Sequence, residues 1–242
     1  MAIVSEDVRY TAIDTEMHGR LFRDDKWRSC RPAVMVFPEG FGISEHTYDA
    51  AQRITELGYI GLACDVYGQA YFHNGPSAEL VERNRRVTSD QRRLRATGIS
   101  AHNLLRARDD VDASRIAAVG YCLGGTIAME LGFAAAPIAA IASFHPSFRG
   151  LTLPDAGNTP CPIDLYMGAE DYASPPEART AFEAAMKGTG VRWRMFLYGS
   201  VKHSYTNPNC AGMGDAVACD AEAAQHSWES MAALFEEAFA KV

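Results

Sequence analysis

A cysteine set in Gly120-Tyr121-Cys122-Leu123-Gly124-Gly125 carries the plainest chemical meaning in this chain. The apolar run Arg115-Ile116-Ala117-Ala118-Val119 precedes it, and the helix-like Thr126-Ile127-Ala128-Met129-Glu130-Leu131 follows. Where a strand turns sharply into a helix, backbone passes close to backbone. Glycines two positions either side of the central residue remove the side chains that would collide there. The central residue then stands above the sheet, before a helix N-terminus that favours a thiolate and an oxyanion. This is a nucleophile elbow with sulfur in place of serine oxygen, and the chemistry it suits is covalent acyl transfer.

A thiol nucleophile needs a base to take its proton and return it to the leaving group. The base in turn needs an acceptor that fixes its tautomer. Cys122, Asp171 and His203 occur in the order nucleophile, acid, histidine, each just past an expected strand end. Of the seven histidines, His18, His46, His73, His102 and His226 lie in edge, loop or helix contexts and are expected at the surface. His145 rivals His203 because it also follows a strand, but it precedes Asp171 and is expected to line the pocket. Glu170 and Asp164 compete for the acid, and Asp164 falls at a strand start, the wrong end of the sheet. The oxyanion would be received by the backbone N–H groups of Leu123, which follows the nucleophile, and Gly40, after the first parallel strand.

The elements that position these groups alternate. Apolar, β-branched runs at Tyr10–Asp14, Ala33–Phe37, Ile60–Asp65, Ile116–Gly120, Ala139–Phe144, Asp164–Met167 and Arg192–Leu197 predict strands. Helical patterns occupy 46–57, 77–106, 123–135, 175–187 and 220–241. Short apolar strands separated by helices predict an α/β fold, a mostly parallel central sheet with helices on both faces. The alternating first run reads as an antiparallel edge strand. No composition break or repeat divides residues 1–242, so one domain is expected. In such a sheet the ligand crevice lies outside the carboxyl ends of the strands. Glu39, Asp65, Tyr67, Cys122, His145, Asp171 and His203 all follow strand ends.

A net charge of −7 disfavours nucleic acid as a partner, because phosphate binding needs a positive field. No stretch is apolar enough to cross a bilayer, and the first residues lack the pattern of a secretory signal. The expected compartment is therefore the cytoplasm, with no membrane association. The six cysteines lack metal-ligand spacing, so neither a metal nor a cofactor is implied. Cys210 and Cys219 flank a glycine-containing loop and are close enough in sequence to pair, but a reducing compartment argues for free thiols. A monomer or homodimer acting on a small molecule is expected.

The segments Pro38-Glu39-Gly40-Phe41-Gly42, Asp65-Val66-Tyr67-Gly68, Gly120–Gly125, Gly168-Ala169-Glu170-Asp171 and His203-Ser204-Tyr205 resemble the dienelactone hydrolase family of α/β-hydrolases. The resemblance runs from about residue 33 to 207. It implies hydrolysis of small esters or lactones through a Cys-His-Asp triad, with Asp171 as the acid. It also implies that Glu39 lies against the thiol and assists its deprotonation when substrate arrives. Phe41, Tyr67, Tyr71, Tyr121, Phe144, Tyr172 and Tyr205 are candidate pocket walls, although aromatics at such positions also serve as core packing. The family binds an anionic substrate with arginines, one of them a few residues after the histidine. Here that position is Asn207, which implies a preference for neutral or weakly anionic substrates. Arg83, Arg85 or Arg86 remain possible anchors from a run that otherwise reads as a solvated helix face. Attack on phosphorus esters is conceivable with the same parts, and a non-catalytic binding protein that keeps the fold is the contrasting class.

Overall fold

The computed structural model describes residues 2–210 and 214–241. Strands run over Ile3–Ala12 (β1), Thr15–Asp24 (β2), Arg31–Phe37 (β3), Ile60–Ala63 (β4) and Val111–Tyr121 (β5). Ile141–Phe144 (β6), Ile163–Gly168 (β7) and Trp193–Tyr198 (β8) complete the set. Helices cover Glu45–Glu56 (α1), Ala78–Thr88 (α2), Gln91–Arg106 (α3), Leu123–Phe133 (α4), Pro176–Met186 (α5) and Ala221–Phe239 (α6). The strands form one sheet in the order β1-β2-β4-β3-β5-β6-β7-β8. From β4 to β8 every neighbour pairs in parallel, while β2 runs antiparallel to β4 and β1 to β2.

Side-chain alternation sends each central strand to two cores. In β3, Ala33, Met35 and Phe37 pack on the face covered by α3, α4 and α5, with Leu94, Ile127 and Phe182. Val34 and Val36 pack on the other face, against Ile54 of α1 and Met231 and Phe235 of α6. A strand buried on both faces has no polar side, which is why these runs read as continuously apolar.

Two elements differ from expectation. A hairpin of two strands stands where one edge strand was expected at Tyr10–Asp14. Its turn is Ile13-Asp14, with Ile13 at φ 56°, a conformation that two-residue hairpins usually give to glycine or asparagine. A β-branched residue there hides the turn from sequence reading. The second difference lies in 77–106, which breaks into α2 and α3 at Ser89-Asp90. There the Asp90 carboxylate accepts from the Arg92 N–H at 2.9 Å and caps the new helix.

Asp65 has a structural task. Fully buried beyond β4, its carboxylate accepts the backbone N–H groups of His18, Tyr67, Gly68 and Ala70 at 2.8–3.0 Å. It ties the hairpin to the loop that follows β4. Asp65→Ala would strand several buried donors, each costing about 1–3 kcal/mol. Allowing for relaxation, we expect a loss of about 2–4 kcal/mol in a denaturant titration, with the surviving folded fraction still active.

Candidate active site

The elbow is built as its glycines suggest. A Cβ on Gly120 would meet the Gly124 carbonyl oxygen at 2.0 Å, and one on Gly124 would meet that of Phe37 at 2.3 Å. Both approaches are shorter than any side chain tolerates. Cys122, between β5 and α4, sits at φ 52°, ψ −112°. Such a backbone costs on the order of 1–3 kcal/mol and persists only where its surroundings hold it. Here the Cys122 N–H donates to the Phe144 carbonyl at 3.0 Å, and the Gly124 N–H to that of Pro38 at 3.0 Å.

The loops after β7 and β8 bring together an acid and a histidine. His203 Nδ1 lies 2.8 and 2.9 Å from the two carboxylate oxygens of Asp171. Both residues are buried, and the Ala173 N–H fixes Asp171 by donating to Oδ1 at 2.8 Å. The His203 main chain is tied down as well, since its carbonyl accepts from Ala218. Burial by itself would disfavour an imidazolium. The charge of Cys122 and the hydrogen bond to Asp171 outweigh it and raise the His203 pKa to about 11. Nε2 has no aligned hydrogen-bond partner, and both the charge of Cys122 and a hydrogen bond to its sulfur contribute to the upward shift.

Glu39, just past β3, is 4% exposed. Its Oε2 accepts from Asn207 Nδ2 at 2.6 Å and lies 3.7 Å from His46 Nδ1. Oε1 is buried without a partner. Burial pushes the carboxyl toward its neutral form, but the hydrogen bond and the charge interaction with His46 prevail and hold the pKa down at about 2. His46 is thus no surface residue. It is mostly enclosed, its ring 4.7 Å from that of Tyr121. His102, also expected at the surface, is buried with Nε2 3.2 Å from the Pro137 carbonyl.

A cavity of about 750 Å³ opens at Cys122. Gly40, Leu123 and Tyr172, all expected at the site, line it. Among the described residues, neither the Gly40 nor the Leu123 N–H donates to a backbone carbonyl. Leu123 begins α4, where first-turn donors have no helical acceptor. Tyr172 is largely exposed, its ring 5.1 Å from that of His203.

The other expected pocket residues lie elsewhere. Tyr121, Phe144 and Tyr205 are core, with ring-to-ring spacing of 5.0 Å between the first two. Phe41 and Tyr71 pack against the core at its edge, and Arg83 lies over the Tyr71 ring at 4.1 Å. Tyr67 works from behind, its hydroxyl donating to the Gly40 carbonyl at 2.9 Å and accepting from Asn84 Nδ2 at 2.9 Å. His145 is fully buried at φ 35°, edge-on to His203 at 5.0 Å, with Nε2 2.9 Å from the Thr206 hydroxyl. Burial first, then the His203 charge, push its pKa well below the ordinary value, so it stays neutral. Asn207 is buried on Glu39 and does not face the cavity. Arg86 is 3.1 Å from Asp14, beside a separate pocket of about 40 Å³ at the hairpin. Asp164 forms a two-point pair with Arg194 and does not line the Cys122 cavity.

Sequence reading missed much of the cavity wall. Ser147, Phe148, Arg149 and Gly150 come from the loop after β6, and Pro175, Ala178 and Ala181 from the start of α5. The loop follows a strand end, so the crevice rule that picked out His145 also covered it. Cys210 is buried, Cys219 exposed, and both are free thiols.

Residues 17–239 match the model of the dienelactone hydrolase family. A carboxymethylenebutenolidase of Pseudomonas sp. is 28% identical over 168 residues, 63% of this chain and 67% of that protein. A crystal structure described as a dienelactone hydrolase-like promiscuous phosphotriesterase from metagenomic libraries is 32% identical. It covers 98% of this chain and 99% of its own, with a TM-score of 0.91. A dienelactone hydrolase of Anabaena variabilis shares the fold at 15% identity, with a TM-score of 0.73 over 98% of this chain and 99% of its own. The architecture is an α/β-hydrolase fold.

Proposed function

The chain belongs to the dienelactone hydrolase family, and on that premise we propose that it cleaves small carboxylic esters or lactones through a Cys122 acyl-enzyme. The observation that carries the reading is the buried His203–Asp171 pair, 2.8 Å apart, with a raised imidazole pKa attributable to Cys122. The Cys122 thiolate adds to the substrate carbonyl carbon, and the π pair moves onto oxygen. The N–H groups of Gly40 and Leu123 receive that oxyanion. Collapse breaks the C–O bond, and His203 Nε2 delivers the proton to the departing alcohol oxygen. His203, now neutral, takes a proton from water, which attacks the thioester and releases the acid and the thiolate. With a lactone, acid and alcohol leave as one molecule.

Glu39 assists before attack. Its unpartnered Oε1 offers an acceptor for the thiol proton. With a pKa near 2 it is a weak base in the resting protein, so the thiol proton it takes moves on to His203 Nε2, which leaves the thiolate and imidazolium that begin the attack. Glu39→Gln keeps the shape but not the basicity. We expect acylation to slow by about tenfold or more, with deacylation little altered in pre-steady-state kinetics. Slowing confined to deacylation would make Glu39 a residue that positions water.

A single domain acting in the cytoplasm is part of the same proposal. Six free cysteines suit a reducing compartment, and no described helix is long and apolar enough to cross a membrane. The test of the function is kcat/KM across neutral and anionic lactones and esters, with turnover of none of them counting against it. A second reading, hydrolysis of phosphate triesters, is favoured by the phosphotriesterase relative at 32% identity. A thiolate and two N–H donors suit a phosphoryl oxygen as well, so an aryl dialkyl phosphate belongs in the panel.

A further inference from the structure

A buried carboxylate needs partners, and those of Glu39 come from different elements. Asn207, in the loop after β8, donates to Oε2 at 2.6 Å. His46, in the first turn of α1, places Nδ1 3.7 Å from the same oxygen. Among the described residues this is the one ion pair that Glu39 makes, and no lysine or arginine joins it. The other titratable neighbours bring no cation to replace it. Tyr121 ends β5, His145 follows β6 and is kept neutral by burial, and Tyr172 follows β7. Beyond Tyr172 lie His203, Cys122 and Asp171, whose charges act on it. Arg53, also on α1, acts on Tyr121 and lies over the Trp228 ring. The Ser204 hydroxyl adds an uncharged contact to Glu39. His46 itself is firmly placed. The Ser44 carbonyl accepts the N–H groups of Thr47 and Tyr48 at 2.9 and 3.0 Å, which fixes its helical turn. Its ring lies against Tyr121, which packs in turn on Phe144.

We propose that His46 is a positioning residue for Cys122 acylation: it keeps Glu39 a carboxylate, and so keeps Oε1 able to take the thiol proton in mildly acidic solution. The inference rests on the reading of Glu39 as the group that receives that proton. Burial favours the neutral carboxyl, which cannot take a second proton from a thiol. An imidazole gains its charge as the solution becomes acid, the range in which a buried carboxyl would otherwise be protonated. The cation is thus present where the carboxylate most needs it. Asn207 cannot do the same, because an amide donates a hydrogen bond but has no charge that grows as pH falls. The low pKa of Glu39, near 2, agrees with this division of labour.

The test follows the single-turnover rate of Cys122 acylation by a neutral aryl ester from about pH 4 to 8, the span in which carboxyl and imidazole groups titrate. His46→Phe keeps a ring against Tyr121 and removes both nitrogens. His46→Asn keeps a donor without the charge, and its smaller side chain carries the comparison should the phenylalanine variant not fold. An opposite charge at this distance commonly lowers a carboxyl by about 1–3 pH units. In both variants the acid limb of acylation should therefore move up by about one pH unit or more, with the rate returning toward wild type at about pH 8. In a Glu39→Gln background neither substitution should move the limb. A loss equal at every pH, or one that persists in the Glu39→Gln background, means that His46 only supports the fold and overturns the proposal. An unmoved limb overturns it as well. Glu39→Gln by itself separates the two readings. If it slows acylation while the limb stays put in the His46 variants, only the role of His46 fails. If it leaves acylation at the wild-type rate, the transfer through Glu39 fails and this proposal falls with it.

Discussion

Cys122→Ala is expected to lower kcat/KM by about four orders of magnitude or more, with the fold unchanged. Removing the nucleophile of a covalent mechanism commonly costs that much, because the remaining groups cannot replace the bond it forms. The side chain is only partly buried, so its loss leaves little cavity. The strained backbone at φ 52° is held by the neighbouring strand and helix, and alanine meets the same strain. Melting temperature and kcat/KM should therefore separate cleanly. An alanine variant that kept more than about a tenth of the activity would have lost only about 1.4 kcal/mol of barrier lowering. A covalent step through Cys122 does not survive that result.

His203→Ala should cost about three orders of magnitude or more in kcat, and His145→Ala much less. The two rings touch, but their roles differ by charge. His203 has a carboxylate behind it and a pKa raised to about 11, whereas His145 is kept neutral by burial and by the His203 charge. Because the shift is upward, the imidazolium form of His203 persists well above the ordinary histidine value of about 6.5. The proton needed by the leaving group is then still present at pH 9, and kcat/KM should hold between pH 7 and 9 and decline above. A profile that falls between pH 6 and 8 would mean that Cys122 does not hold the imidazolium. Equal kcat losses in the two histidine variants would remove the basis for choosing His203.

The residues of the proposed site were more legible than their surroundings. The glycines at 120 and 124 record backbone contacts that leave no room for a Cβ, a constraint visible in any one sequence. Cys122, Asp171 and His203 follow strand ends because a parallel sheet presents its loops on one edge, so chain order alone was informative. Contacts across the fold were not legible. Asn207 reaches Glu39 from 168 residues away, and Arg86 and Arg93 reach Asp14 from 72 and 79 residues away. Nothing in the local pattern distinguishes a solvated arginine from one paired across the fold. The hairpin was hidden for a different reason, since Ile13 occupies a turn position where the expected residue types are absent. His46 reads as a residue of an amphipathic helix, and only the packing of α1 onto Tyr121 brings it to Glu39.

The most direct test of the central claim is to trap the covalent intermediate. An ester with a slow-deacylating acyl group, mixed with enzyme and quenched in acid, should add one acyl mass per chain. Peptide mapping should put it on Cys122, and it should form faster than steady-state turnover. The Cys122→Ala protein should show no adduct. Full turnover with no acyl mass at any time, or an adduct on another residue that forms at the turnover rate, would contradict Cys122 as the nucleophile.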